Sequence, residues 1–232
     1  PDTAELDLKV RVSSGTVELV GIWSHLACAD EPSSPVTEQQ TAAFDTAVAV
    51  AAERGLRPRY RHLANSAGTL RWPGTRHNLV RCGISVYGLP PSTALGTSAD
   101  LGLRPAMRVS AGVALVKAVP AGQGVSYGLR YTTTRPTNLA LVPVGYADGV
   151  PRSGSGRLPV RVAGQDFTAA GTVAMDLFVL DVGDAPVRPG DVVVLFGAGG
   201  PSAQDWGAAC GTINYEIVTR LGSRIPRTYR GA

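Results

Sequence analysis

The stretch TVELVGIW, residues 16–23, is a β-branched apolar run of strand length, and a helical pattern follows it. Between the two lies a polar, proline-containing loop at residues 29–35. Thr37 is read as the start of the helix, with Gln40 three residues on completing a capping box. Phe44, Val48 and Ala51 then recur at helical spacing until Gly55 closes the segment. The same alternation continues, with a strand expected at 59–63, a short helix at 66–71 and another strand at 78–81. Strands separated by helices point to parallel β/α units. One join does not fit this pattern. A strand-like run closes at Lys9 and Val10, and only residues 11–15 precede the next, whereas a parallel crossover needs about a dozen. Either a hairpin turns through Ser13, Ser14 and Gly15, or the chain as printed skips residues there.

The texture changes after residues 90–102, a stretch rich in Pro, Ser, Thr and Gly that reads as a linker. β-like runs follow at 107–119, 138–146, 158–162, 173–181 and 191–196, separated by the glycine-containing turns AGQG, ADGVPRSGSG, VAGQ and RPGD. Such spacing implies a mainly antiparallel domain, with short helices at 202–210 and 212–220. The expected architecture is therefore α/β plus β, with residues 1–102 forming one domain and 103–232 the other. There is no internal repeat.

Composition narrows the class of protein. Apolar residues make up 44% and charged residues 17%, as in ordinary globular domains, and no apolar run spans a bilayer or resembles a secretory leader. Lys and Arg total 22 for a net charge of +4, but the arginines are scattered without interleaved aromatics, so neither nucleic acid nor membrane is an expected partner. Cys28, Cys82 and Cys210 have no metal-like spacing, and unpaired thiols suit a reducing cytoplasm. Only Lys9 and Lys117 are lysines. Pro1 is not a natural initiator, which raises the expectation that residues precede it.

Seven short motifs carry chemistry: WSHLACADE (23–31), RHLANSAG (61–68), LVRCGISVYGL (79–89), GVSYG (124–128), PVGYADG (143–149), AMD (174–176) and TINYE (212–216). Together and in this order, over nearly the whole chain, they resemble the alanine racemases, in an actinobacterial-like form. The resemblance implies a partial (β/α)8 TIM-type barrel carrying pyridoxal 5'-phosphate, followed by a β domain. It implies interconversion of L- and D-alanine, supplying D-alanine for peptidoglycan, in a cytoplasmic homodimer with shared active sites.

The chemistry needs a cofactor ring, joined to alanine as an imine, to spread the charge left when the α-proton departs. It also needs proton-transfer groups on both faces of the planar carbon. The family uses the cofactor lysine on one face and a tyrosine from the partner subunit on the other. Tyr127 in GVSYG matches that tyrosine, with Gly124 and Gly128 expected to permit a tight bend. A phenol titrates at about 10 in water, so a basic role calls for positive charge nearby. By the same resemblance His25 lies against the ring and contacts the catalytic tyrosine, His62 hydrogen-bonds the arginine that faces the ring, and Asn65 is among the cofactor-binding residues. Arg81 donates to the pyridine nitrogen. Guanidinium has no acceptor, so that nitrogen stays unprotonated. Ser66, the amides of Gly83 and Ile84, and the Tyr215 hydroxyl hold the phosphate at the barrel rim. Met175 offers its backbone N–H to the substrate carboxylate, while Tyr146 and Asp176 line the entrance, although GYADG is also plain turn chemistry. His77 matches nothing functional and is expected on the surface.

The departures are as informative. Thr172 and Leu177 stand where the family commonly has Arg and Gln. The cofactor lysine and its Tyr-Gly-His-Gly neighbourhood are absent. Lys9 instead resembles a barrel lysine that can be carbamylated, yet Arg11-Val12-Ser13 follows where an Asp-Thr-Gly motif with its arginine is expected. Lys117 matches no catalytic position. One reading is a racemase whose full chain has more than a hundred further residues before Pro1 and a gap after Val10. The alternatives are a non-catalytic relative kept as a binding or dimerisation module, and a racemase for serine or another small amino acid.

Overall fold

The computed structural model describes residues 11–12 and 14–229, and the chain divides into two compact units, Pro1–Arg104 and Pro105–Ala232. The expected run ending at Lys9 and Val10 lies outside the described residues. The hairpin reading fails. Arg11 and Val12 are helical, and the N–H groups of Thr16 and Val17 both return to the Arg11 carbonyl.

In the first unit, β1 (Gly21–Trp23) pairs in parallel with β2 (Tyr60–His62), and α1 (Val36–Glu53) lies between them in sequence. Gly21 sits close to its partner strand, where a Cβ would stand 3.2 Å from the Tyr60 carbonyl. Phe44 of α1 packs into a core with Leu26, Ala29, Leu63 and Ala67, and each large side chain so buried contributes roughly 1.5–3 kcal/mol. The expected capping box does not form. Pro35 is the N-cap, Thr37 is fully buried with its hydroxyl unpaired among the described residues, and the Gln40 side chain accepts from Ala27 N–H instead. Helix α2 (Ser66–Arg71) follows β2, with the Asn65 side chain accepting from Gly68 N–H at its cap.

Three further expectations for this unit are corrected. Residues 78–81 form no strand, because the Asn78 side chain bonds both Arg61 N–H and the Arg59 carbonyl and so occupies the edge of β2. His77 is not on the surface. Its ring packs on Phe44 at 5.0 Å and its Nε2 is buried, 3.8 Å from Asp45. Residues 90–102 are no bare linker, since Leu95 packs on the core, Ser98 donates to the Gly88 carbonyl and Asp100 caps Thr97.

The second unit is antiparallel throughout. One sheet orders β10 (Phe178–Gly183), β7 (Thr137–Val142) and β4 (Leu115–Val119); the other orders β3 (Val109–Gly112), β11 (Val192–Phe196), β8 (Pro159–Val162) and β9 (Gln165–Thr168). A small pair joins β5 (Gly124–Val125) to β6 (Tyr131–Thr132). The run expected at 107–119 thus breaks into β3 and β4, which enter different sheets. Only the end of the run expected at 173–181 is strand, because residues 173–177 follow an irregular path. Along β10 the side chains of Phe178, Leu180 and Val182 point inward by simple alternation. Trp206 on α3 (Ala203–Cys210) closes one end, packed on Phe196 and donating to the Pro159 carbonyl, and α4 (Asn214–Thr219) follows.

A polar knot ties β6, β7 and β10 together. Asp181 accepts from Tyr131 Oη (2.7 Å), from Thr137 Oγ1 and from Gly183 N–H (3.1 Å). Burial works against the Asp181 charge, but these donors outweigh it and hold the carboxyl below its usual range. Burial, aided by the Asp181 bond and charge, pushes the Tyr131 phenol up to about 12. No helix among the described residues is long and apolar enough to cross a membrane.

Candidate active site

Both parallel strands of the first unit end where the polar residues begin: Ser24 and His25 follow β1, and residues 63–66 follow β2. Arg81 is drawn to that point by its backbone N–H, which donates to the Ala64 carbonyl. Its Nη1 donates to His62 Nδ1 (2.7 Å) and the His62 carbonyl (2.9 Å). Its Nη2 faces the carbonyls of Ser24 (2.7 Å) and Leu63 (3.4 Å) and His25 Nδ1 (3.3 Å). The plane lies 5.3 Å from the Trp23 ring. Every partner must accept, because guanidinium only donates. His62 is therefore neutral with its proton on Nε2, in keeping with a pKa lowered by burial and then by the Arg81 charge. Burial also lowers the Arg81 pKa, though a guanidinium stays cationic. Among the described residues, the Arg81 Nε–H alone of its donor groups has no partner.

Beside it, Ser66 is buried at the first position of α2, and its Oγ accepts from Gly83 N–H (3.0 Å) and Ser85 N–H (3.4 Å). With two N–H groups accepted, the hydroxyl proton is left to donate outward. A Cβ at Gly83 would meet nothing, so the space before this backbone is open. Ile84 opens a one-turn helix ending at the left-handed Gly88, and the buried Ser85 Oγ has no partner among the described residues. Asn65 is half-buried and spends its side-chain oxygen on the α2 cap.

The other expected site residues lie in the second unit. Tyr127 is 73% exposed on a turn after β5, and its phenol has no hydrogen bond among the described residues. It is aimed through the backbone of its turn, where Ser126, Gly128 and Leu129 have left-handed φ of 60°, 73° and 46°. Gly128 thus serves as expected, whereas Gly124 has a different role, since a Cβ there would strike Leu129 at 2.9 Å. Ser126 Oγ donates to the Thr172 carbonyl (2.6 Å) and Thr172 Oγ1 to the Tyr127 carbonyl (2.8 Å).

Met175 is 53% exposed, and its backbone N–H has no partner among the described residues. Its carbonyl and that of Ala174 accept from Ala147 and Tyr146, so the GYADG turn is the platform under AMD. Gly145 is obligatory there, because a Cβ would lie 2.3 Å from both carbonyl oxygens. Sequence reasoning missed the clamp on this platform. Arg224 donates through Nε to Asp148 Oδ1 (2.9 Å) and through Nη2 to Asp176 Oδ1 (2.7 Å), while the buried Asp148 accepts from Gly145 N–H. The bond to Asp176, then that to Asp148, raises the Arg224 pKa. Tyr215 is half-buried on α4, and Lys117 is exposed on β4. Lys9 lies outside the described residues. The three cysteines are free, with Cys210 buried.

Comparison with known proteins points to one family. The family model for the alanine racemase C-terminal domain matches residues 106–229, and that for the N-terminal domain matches residues 3–91. An alanine racemase of Salinispora arenicola is 57% identical over 94% of this chain and 59% of its own length. One from Frankia casuarinae is 54% identical, again over 94% of this chain and 57% of that protein. The crystal structure of alanine racemase from D-cycloserine-producing Streptomyces lavendulae superposes with a TM-score of 0.96 at 53% identity, covering 99% of this chain and 61% of that one. The chain spans about three fifths of the length of the curated relatives it matches.

Proposed function

The chain belongs to the alanine racemase family, and from that premise we propose that it forms the ring-and-phosphate wall and the tyrosine-bearing domain of a pyridoxal 5'-phosphate-dependent racemase interconverting L- and D-alanine. The observation that carries this reading is the state of Arg81, whose Nη groups are consumed by carbonyls and histidines while Nε–H remains to donate.

The residues fit the phosphate and ring ends of the cofactor. The Ser66 hydroxyl and the Ile84 N–H, before the open space at Gly83, are neutral donors suited to a phosphate, and by the family pattern the Tyr215 hydroxyl is a further donor. At the ring end, a cation that only donates keeps the pyridine nitrogen an acceptor. His62 and the carbonyls fix the guanidinium plane, and His25 packs at its side. When bound, pyridoxal phosphate supplies an electron-accepting ring that eases loss of the alanine α-proton. Tyr127 Oη takes or returns that proton on one face of the carbon. The unpartnered Met175 N–H receives the substrate carboxylate, and Tyr146 and Asp176 flank the approach. By the family pattern the opposite face belongs to a lysine. Lys117, on β4, matches no catalytic position of that pattern. Tyr127 and Met175 complete the site of a second copy, so the active form is a homodimer with shared sites. Its product is D-alanine for peptidoglycan, made in the cytoplasm.

Racemisation of L-alanine by the protein that carries this chain, followed by chiral chromatography with pyridoxal phosphate added, tests the reading. Tyr127→Phe should cut turnover by about a hundredfold or more. A folded, cofactor-saturated protein that leaves the enantiomer unchanged defeats it and favours a non-catalytic binding module.

A further inference from the structure

The Tyr127 phenol has no side-chain partner among the described residues, so whatever orients it acts through the backbone of residues 126–129. That backbone is strained in two places, because Ser126 and Leu129 have left-handed φ and carry a Cβ, whereas Gly128 adopts its left-handed φ freely. Strain of this kind persists only where surrounding groups over-determine it. Here the surrounding group is one segment. Gly171 runs so close that a Cβ on it would stand 2.8 Å from the Val125 carbonyl. The next residue, Thr172, is buried and bonds in both directions, accepting at its carbonyl from Ser126 Oγ and donating from Oγ1 to the Tyr127 carbonyl. Val173 N–H then donates to Ser155 Oγ (2.9 Å), which pins this floor from below.

We propose that Thr172 is a positioning residue for Tyr127: its buried hydroxyl and carbonyl clasp the two residues at the strained turn and set the direction of the phenol. The role in turnover rests on the reading of Tyr127 given above, whereas the clasp itself does not. Thr172 is short enough to stay buried while its hydroxyl and carbonyl reach both groups.

The test compares Thr172→Val, which keeps the shape and removes the hydroxyl, with Thr172→Ser, which keeps the hydroxyl. Amide hydrogen exchange across residues 126–129 is measured on each, together with kcat and KM for alanine in the racemising protein. Thr172→Val should exchange at least tenfold faster there and lose about tenfold in kcat, with KM changed less than twofold, and Thr172→Ser should recover both. Should Thr172→Val fail to fold, Ser126→Ala removes the reciprocal bond and is read the same way. Unchanged exchange in Thr172→Val overturns the clasp, and so does an equal loss in Thr172→Ser. Faster exchange with unchanged kcat in an active enzyme overturns the positioning role. Wild-type protein that exchanges slowly at 126–129 but never racemises alanine refutes the proposed function and leaves the clasp standing.

Discussion

In the first unit the polar residues are organised by side chains around one cation: Arg81 gathers His62, His25 and the carbonyls that follow both strands. In the second unit they are organised by backbone, with Tyr127 aimed by a strained turn and Met175 laid on the GYADG platform. The difference follows from what surrounds each set. Among the described residues of the first unit, β1 and β2 pair over three residues each, and the acceptors beyond their ends are drawn together by charge-assisted hydrogen bonds to Arg81. The second unit has two antiparallel sheets over a continuous core, rigid enough to hold close backbone approaches and left-handed turns. The two sets should therefore break under different insults.

The largest effect is expected at Gly145. Gly145→Ala forces a methyl to within 2.3 Å of two carbonyl oxygens and should cost the second unit about 3 kcal/mol or more, read by urea unfolding. A cost below about 1 kcal/mol would show that the platform gives way and that backbone does not organise this half. Arg81→Met should act next, and on the other half. It strands the acceptors around it and should weaken pyridoxal phosphate binding at least tenfold, measured by fluorescence titration, with the second unit's unfolding unchanged.

Acid separates the two units more gently. The folded pKa of His62 is lowered, so its contribution is present above about 6.5 and is lost as pH falls below that value. Asp181 is also held low, but from a carboxylate's ordinary value, so its contribution is present above about 4 and is lost only below it. On acidification, amide signals of the first unit should therefore change at higher pH than those around the Asp181 knot. At the alkaline end Tyr131, raised to about 12, contributes fully below about 10 and loses that contribution as pH climbs to about 12. A single acid transition shared by both units would contradict the assignment.

Much of this contrast can be read from the residues. The β/α alternation and the mainly antiparallel second half follow from periodicity, and α2 at Ser66–Arg71 stands where expected. The motifs around His62 and Ser66 are legible because one closes a strand and the other starts a helix, whereas Arg81 follows no strand and is legible only from its motif. What pattern could not reveal was long-range partnership. Asn78 reads as strand, yet its side chain caps the edge it was expected to extend. His77 reads as surface, but its left-handed backbone turns the ring onto Phe44, which nothing in the local sequence signals. Arg224 and Asp148 are 76 residues apart, and an arginine among twenty scattered ones carries no mark of its partner. The irregular path of residues 173–177 was hidden by apolar residues that also suit a strand, because burial there is shaped by the platform beneath.

The account's central claim is that Tyr127 moves the α-proton on one face only. Deuterium incorporation from solvent into alanine, started separately from each enantiomer with Tyr127→Phe and wild-type protein, measures this most directly. The prediction is that Tyr127→Phe nearly abolishes exchange from one enantiomer while exchange from the other continues and racemisation stops. Equal exchange from both enantiomers in Tyr127→Phe, whether retained or lost together, would contradict it.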